Sequence, residues 1–267
     1  MALKILSLSY VAFVLLLIFS SFFEGAIGMA LYFVAFVIPI VLAFLLGKKS
    51  GEIGKLKLKI SSDNIILLIP AIVPTLFAII GVAALFNFVF GLFGVQNENI
   101  TDVSGNIFLV ILRHALIPSI LEELLFRYIP LALLLKSSPR AAIFASGVFF
   151  AFSHCNIFQL PYALFAGLSF AMLDVIFDSI TPSLLLHIMN NVISIFYLRY
   201  AETANFELVY FISLAALTLV SITVILLMRD KYLSKLSCLK REKERVNFGF
   251  ETLVFLVITS IIAVITI

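Results

Sequence analysis

Glu122-Glu123-Leu124-Leu125-Phe126-Arg127 sets two carboxylates and a guanidinium inside a run, 107–135, that is otherwise almost purely apolar. A charge in hydrocarbon is costly, so an ionisable cluster within a membrane-length run marks a functional site by default. Working outward, two further polar islands share this setting: Phe150-Ala151-Phe152-Ser153-His154 and His187-Ile188-Met189-Asn190-Asn191. Two of the chain's three histidines thus join the same constellation.

The surrounding composition, 63% hydrophobic and 12% charged, excludes a soluble globular domain. Apolar stretches near 5–23, 26–47, 64–95, 107–135, 141–154, 157–177, 180–198, 207–228 and 250–267 predict an all-α, polytopic membrane helix bundle of about eight or nine transmembrane helices. One integral membrane domain is expected over 1–267, with its catalytic core at 107–198. Lys4 before the first run resembles a signal n-region, but the run is long and lacks a clear cleavage site, so it reads as a retained helix.

Basic residues cluster in two loops, Lys48, Lys49, Lys55, Lys57 and Lys59 in one and Arg229, Lys231, Lys235, Lys240, Arg241, Lys243 and Arg245 in the other. The 96–106 loop, with Glu98 and Asp102, carries neither Lys nor Arg. The positive-inside rule therefore predicts a cytoplasmic N-terminus and cytoplasmic loops at 48–63, 136–140 and 229–249. The basic 229–245 stretch reads as a topological determinant or an anionic-lipid patch, and no nucleic-acid partner is expected. Asn99-Ile100-Thr101 matches a glycosylation acceptor on the outer side, a short and weak signal. Cys155 and Cys238 have neither a disulfide framework nor a metal-type spacing.

On a helix Glu123 and Arg127 are four apart and share a face, whereas Glu122 is rotated by about 100°. Glu123 is thus placed to neutralise Arg127, leaving Glu122 as a candidate general base. Helix rise puts His154 about 21 Å and Glu122 about 24 Å from the inner boundary, so the two can meet at one depth and hold a water. Phe150, one turn before His154, is placed to screen the imidazole from lipid. His187 and Asn191 are also four apart, on a helix for which Thr181 and Pro182 suggest an N-cap and first position. Both can donate hydrogen bonds to an oxyanion in a dry cavity. Counting from Thr181 leaves His187 only about 10 Å deep, a mismatch removed if the 178–182 connection dips into the bundle. The bland readings are a Glu-Arg pair locking two helices and a polar zipper through His187 and Asn191.

Other proteolytic arrangements are absent. No His-Glu-x-x-His or Gly-x-Ser-Gly occurs. Asp174 and Asp178 lie on one span and read as a hydrated helix end, not as an aspartyl dyad. Cys155 points away from its neighbour His154 on a helix. Arg113 and His114 are expected to snorkel towards the outer interface, the other reading being that they line the outer part of the cavity.

Glu-Glu-x-x-x-Arg, Phe-x-x-x-His and His-x-x-x-Asn, in this order on successive spans, resemble the CAAX prenyl protease 2 (Rce1-like) and bacteriocin-processing family, also called ABI or CPBP, over about 120–195. The resemblance implies an intramembrane glutamate-type endopeptidase in which Glu122 and His154 activate water and His187 and Asn191 steady the oxyanion. Glu123 and Arg127 match the supporting residues of the first motif. Tyr128 departs from the Gly that bacterial members often carry there. Older descriptions call the family metalloproteases, and His154, His187 and Glu122 are the residues that would hold zinc; metal-free catalysis is the expectation, because Asn191 is a poor zinc ligand and Arg127 repels a cation. The implied substrates are prenylated CAAX-type peptides, or bacteriocin and signalling peptides. The implied location is the plasma membrane of a prokaryote or the endoplasmic reticulum of a eukaryote. The rival reading is a non-proteolytic immunity or transport protein using the Glu/Arg/His network as a proton relay, against which stands the lack of an evident inverted repeat.

Overall fold

The computed structural model describes residues 1–51, 54, 62–94, 102–203, 205–240 and 249–265. The expectations placed on Lys55, Lys57, Lys59, Glu98, Asn99-Ile100-Thr101, Arg241, Lys243 and Arg245 lie outside them. In chain order the helices are α1 (Ala2–Ser21), α2 (Gly25–Lys49) and α3 (Ser62–Leu92), then α4 (Ile107–Ile111), α5 (Ile117–Glu123) and α6 (Ile129–Leu134). There follow α7 (Pro139–Ser153), α8 (Leu160–Phe177), α9 (Thr181–Tyr200), α10 (Phe206–Leu227), α11 (Arg229–Leu236) and α12 (Phe250–Ile265). No strand occurs among the described residues. The protein is an all-α membrane bundle.

Among the described residues, six helices are long and apolar enough to cross a bilayer: α1, α2, α3, α8, α9 and α10. The apolar run at 107–134 is instead one rod broken into α4, α5 and α6, and α7 and α12 are apolar but shorter. Apolar side chains face outward along these helices, with Leu85, Phe88, Leu219 and Leu226 all exposed. In water this would be a liability; in lipid it is the expected exterior.

The core forms where aromatic rings converge from helices far apart in sequence. Tyr10 of α1 stacks on Phe126 and Phe149 at centroid separations of 5.3 and 4.2 Å, and Phe255 of α12 lies 5.9 Å away. Ser7 and Thr252 exchange a hydrogen bond of 2.8 Å between the same two helices. The α1 run is therefore an internal member of the bundle. A second feature sets the geometry of α7 against α8: a methyl group added to Gly167 would lie 2.9 Å from the Cα of Gly147. Small residues at such a crossing let two backbones approach closely, which in lipid replaces the hydrophobic effect as the source of cohesion. This close approach fixes Phe150 on α7 relative to Phe170 on α8.

The connection between α8 and α9 is buried apart from Asp178. Asp178 adopts the left-handed conformation (φ 51°) and Ser179, Ile180, Pro182 and Ser183 are all withdrawn from the surface. The basic segment at α11 shelters this turn: Lys235 Nζ lies 5.5 Å from the Phe177 ring and Cys238 Sγ reaches the Val175 carbonyl. The turn thus starts α9 inside the bundle, which brings His187 level with residues near the far end of α7.

Candidate active site

The site is built on a rod whose hydrogen-bond ladder two prolines interrupt. Pro118 and Pro130 each follow a π-helical turn, Leu112–Leu116 and Leu124–Tyr128. A proline lacks its N–H and crowds the carbonyl four residues back, so the preceding turn widens and loses backbone donors. In a bilayer the freed carbonyls must find partners within the protein. They do: Phe126 O accepts from Ser146 Oγ of α7 at 2.5 Å and from Arg127 Nη1 at 3.3 Å, and Leu125 O accepts from Tyr10 of α1 at 3.0 Å. The π turn after Glu123 is therefore pinned to two neighbouring helices, and Arg127 lies within it.

Glu122 and Glu123, adjacent in sequence, meet opposite edges of one imidazole. His187 Nδ1 is 2.7 Å from Glu123 Oε1, and His187 Nε2 is 3.6 Å from Glu122 Oε2. Glu123 also faces Arg127, Oε2 to Nε at 3.4 Å, with both side chains buried. That contact is a charge contact without hydrogen-bond alignment, since neither atom has a hydrogen-bond partner among the described residues. The guanidinium is further held by ring faces, 4.3 Å from the Phe150 centroid and 5.3 Å from that of Phe170. It also reaches Ser146 Oγ at 3.4 Å. Glu122 is more open than its neighbour, 18% against 1% exposed.

His154 lies at the end of α7, where Nδ1 is 2.8 Å from Phe150 O. A carbonyl only accepts, so Nδ1 carries the proton there and Nε2 is left with a lone pair. Phe150 presents its ring edge-on to both His154 (4.7 Å) and His187 (5.6 Å). The ring therefore packs between the two imidazoles, more than the lipid screen expected of it. Glu122 lies within electrostatic range of His154, and of Tyr32 on α2 and Tyr162 on α8. Asn191, one turn beyond His187, donates from Nδ2 to Ser119 Oγ of α5 at 3.2 Å. Its second amide hydrogen is not used by that bond.

Two local expectations need correction. Thr181 is the first helical residue of α9 rather than its N-cap, and Ile180 in the cap position offers no side-chain bond. The donor at the helix start is satisfied from α8 instead: Ser183 N donates to Asp174 Oδ1 at 2.9 Å. Asp174 is accordingly not a hydrated helix end but fully buried. Arg113 and Asp178 remain exposed, and His114 is intermediate. Ser119, Ser146 and Ser183 carry no periodic or motif signal, because isolated serines are ordinary in membrane helices and only the fold reveals their partners.

Among the described residues no group of three or more His, Cys, Asp and Glu side chains is disposed to hold a metal ion. Both Nδ1 atoms are committed, one to a carboxylate and one to a carbonyl. Against known proteins, residues 104–193 match the family described as type II CAAX prenyl endopeptidase Rce1-like. That stretch contains all three motifs. No curated protein and no solved structure matches the chain. The match supports, in general terms, a CAAX-type membrane protease.

Proposed function

We propose, on the match of residues 104–193 to the Rce1-like family, that the chain is an intramembrane endopeptidase that activates water with Glu122 and His154 and steadies the oxyanion with His187 and Asn191. The observation that carries this reading is the placement of His187 between Glu123 and the more open Glu122. Glu123, already facing Arg127, orients the imidazole; Glu122 is free to take a proton. Water held between Glu122 and the His154 Nε2 lone pair attacks the scissile carbonyl carbon as its proton passes to Glu122. The negative charge that develops on the carbonyl oxygen meets an Asn191 Nδ2 hydrogen and His187 Nε2. With Nδ1–H committed to Glu123, His187 can donate through Nε2 only as the imidazolium, whose charge the two flanking carboxylates balance. The proton on Glu122 then passes to the leaving amine as the C–N bond breaks.

No step uses a metal. The substrate is a peptide brought to the site from the bilayer or its surface, lipidated at a C-terminal CAAX-type sequence or apolar in the manner of bacteriocin and signalling peptides. Glu122→Gln and His154→Ala test the assignment. Each should insert and fold normally and lose about 10²-fold or more in turnover, the usual contribution of a general base. Near-normal cleavage of an authentic substrate by Glu122→Gln refutes the mechanism and favours a non-proteolytic role for the network.

A further inference from the structure

We propose that Asp174 is a positioning residue of this site, holding α9 at the depth and rotation that place His187 between Glu122 and Glu123; the proposal rests on the endopeptidase reading only for its kinetic arm. Asp174 belongs to none of the three motifs, and by sequence it reads only as part of a hydrated helix end. It lies on α8, one turn before the left-handed residue that ends the helix, and is completely buried. A carboxylic acid in that position is costly unless its contacts hold something in place.

Those contacts are specific. Oδ1 accepts the backbone N–H of Ser183 at 2.9 Å, one of the orphan donors at the start of α9. The Asp174 backbone carbonyl accepts from Ser179 N at 3.1 Å, closing the turn between the two helices. Both ends of the α8–α9 connection therefore return to one residue. Ser183 is four residues before His187, so the two share a face of α9. The Ser183 hydroxyl donates to the Ile180 carbonyl at 3.0 Å, within the same turn, and Ser183 lies within electrostatic range of Glu123, the carboxylate that accepts from His187 Nδ1. Asp174 thus anchors the start of the α9 face on which His187, one turn later, meets Glu123. The remaining oxygen, Oδ2, has no hydrogen-bond partner among the described residues and lies within electrostatic range of Glu123 and Arg127.

The test compares Asp174→Asn, which keeps an acceptor oxygen at Oδ1, with Asp174→Ala, which removes it. The full-length protein labelled with 15N-histidine in micelles gives a readout independent of proteolysis, the hydrogen-bonded Nδ1–H resonance of His187, assigned by its loss in His187→Asn. Wild type and Asp174→Asn should show it, and Asp174→Ala should lose or broaden it. On a cleavable peptide, Asp174→Ala should lower kcat by about 10²-fold, the effect of a misplacement near 1 Å, with KM changed less than about threefold. Asp174→Asn should stay within about threefold of wild type in both.

If the alanine variant does not fold, Asp174→Glu, whose carboxylate is displaced by one methylene, should shift the resonance and lower kcat in the same way. Retention of the resonance and of kcat in Asp174→Ala, or in Asp174→Glu where that variant must stand in, overturns the proposal. So does equal loss in Asp174→Asn, which would make the charge and not the hydrogen bond the operative feature. Absence of cleavage by wild type leaves the resonance comparison to decide the positioning role and counts against the protease reading alone.

Discussion

Removing the Glu123 carboxylate should destabilise the protein and disable it for two separable reasons. Arg127 is fully buried, and Glu123 is the only carboxylate in ion-pair contact with it among the described residues. The rings of Phe150 and Phe170 already contact the guanidinium in the native state, so they do not replace what is lost. Stranding a buried charge by deleting its partner costs about 3–5 kcal/mol, which lowers the ratio of folded to unfolded protein roughly 10³-fold at the middle of that range. Glu123→Ala should show this loss in a denaturant titration in micelles. Replacing both partners with apolar groups of similar volume should recover most of it, because neither charge then has to be buried. The double variant Glu123→Leu/Arg127→Met is therefore expected to fold close to wild type. It should remain inactive, since His187 Nδ1 has lost the acceptor at 2.7 Å that sets its orientation and helps to balance its charge. Unchanged stability of Glu123→Ala would refute the pairing argument, and restored turnover in the double variant would refute the orienting role of Glu123.

Three more outcomes are expected. Asn191→Ala should reduce kcat by about 10²–10³-fold with little change in KM, because an oxyanion donor acts on charge absent from the ground state, and steady-state kinetics separates the two. Gly167→Val should drive α7 from α8, costing about 1–3 kcal/mol by overpacking and reducing turnover through displacement of Phe150, measured by micelle unfolding and cleavage. Prolonged dialysis against a chelator should leave cleavage intact, with less than stoichiometric zinc by elemental analysis; zinc lost and restored together with activity would replace the metal-free mechanism.

The residues that bear charge were legible in the chain because charge is conspicuous in an apolar background. Glu122, Glu123 and Arg127, and the spacing of His154, His187 and Asn191, could be picked out that way. Their pairing was less so. Helical spacing alone set Glu122 and Glu123 on different faces, yet both meet His187, because that ring presents two nitrogens on opposite edges. Asp174 was misjudged since an acid near the end of a span is usually hydrated, and only the buried α8–α9 turn makes it internal. The broken rod at 107–134 had a signal, Ile117-Pro118 and Ile129-Pro130. That signal does not say which carbonyls are freed or that Ser146 and Tyr10 would satisfy them.

The hydroxyl of Tyr10 on the Leu125 carbonyl also bears on biogenesis. Tyr10 enters the membrane early in synthesis and must wait for the 107–134 rod before it can cap that carbonyl. Its ring is then packed by Phe255, made 128 residues after Arg127. At about 5–20 residues per second, roughly 6–25 s separate translation of the guanidinium from arrival of that ring. During this interval the rod carrying Glu122, Glu123 and Arg127 lacks the part of its aromatic packing that α12 supplies.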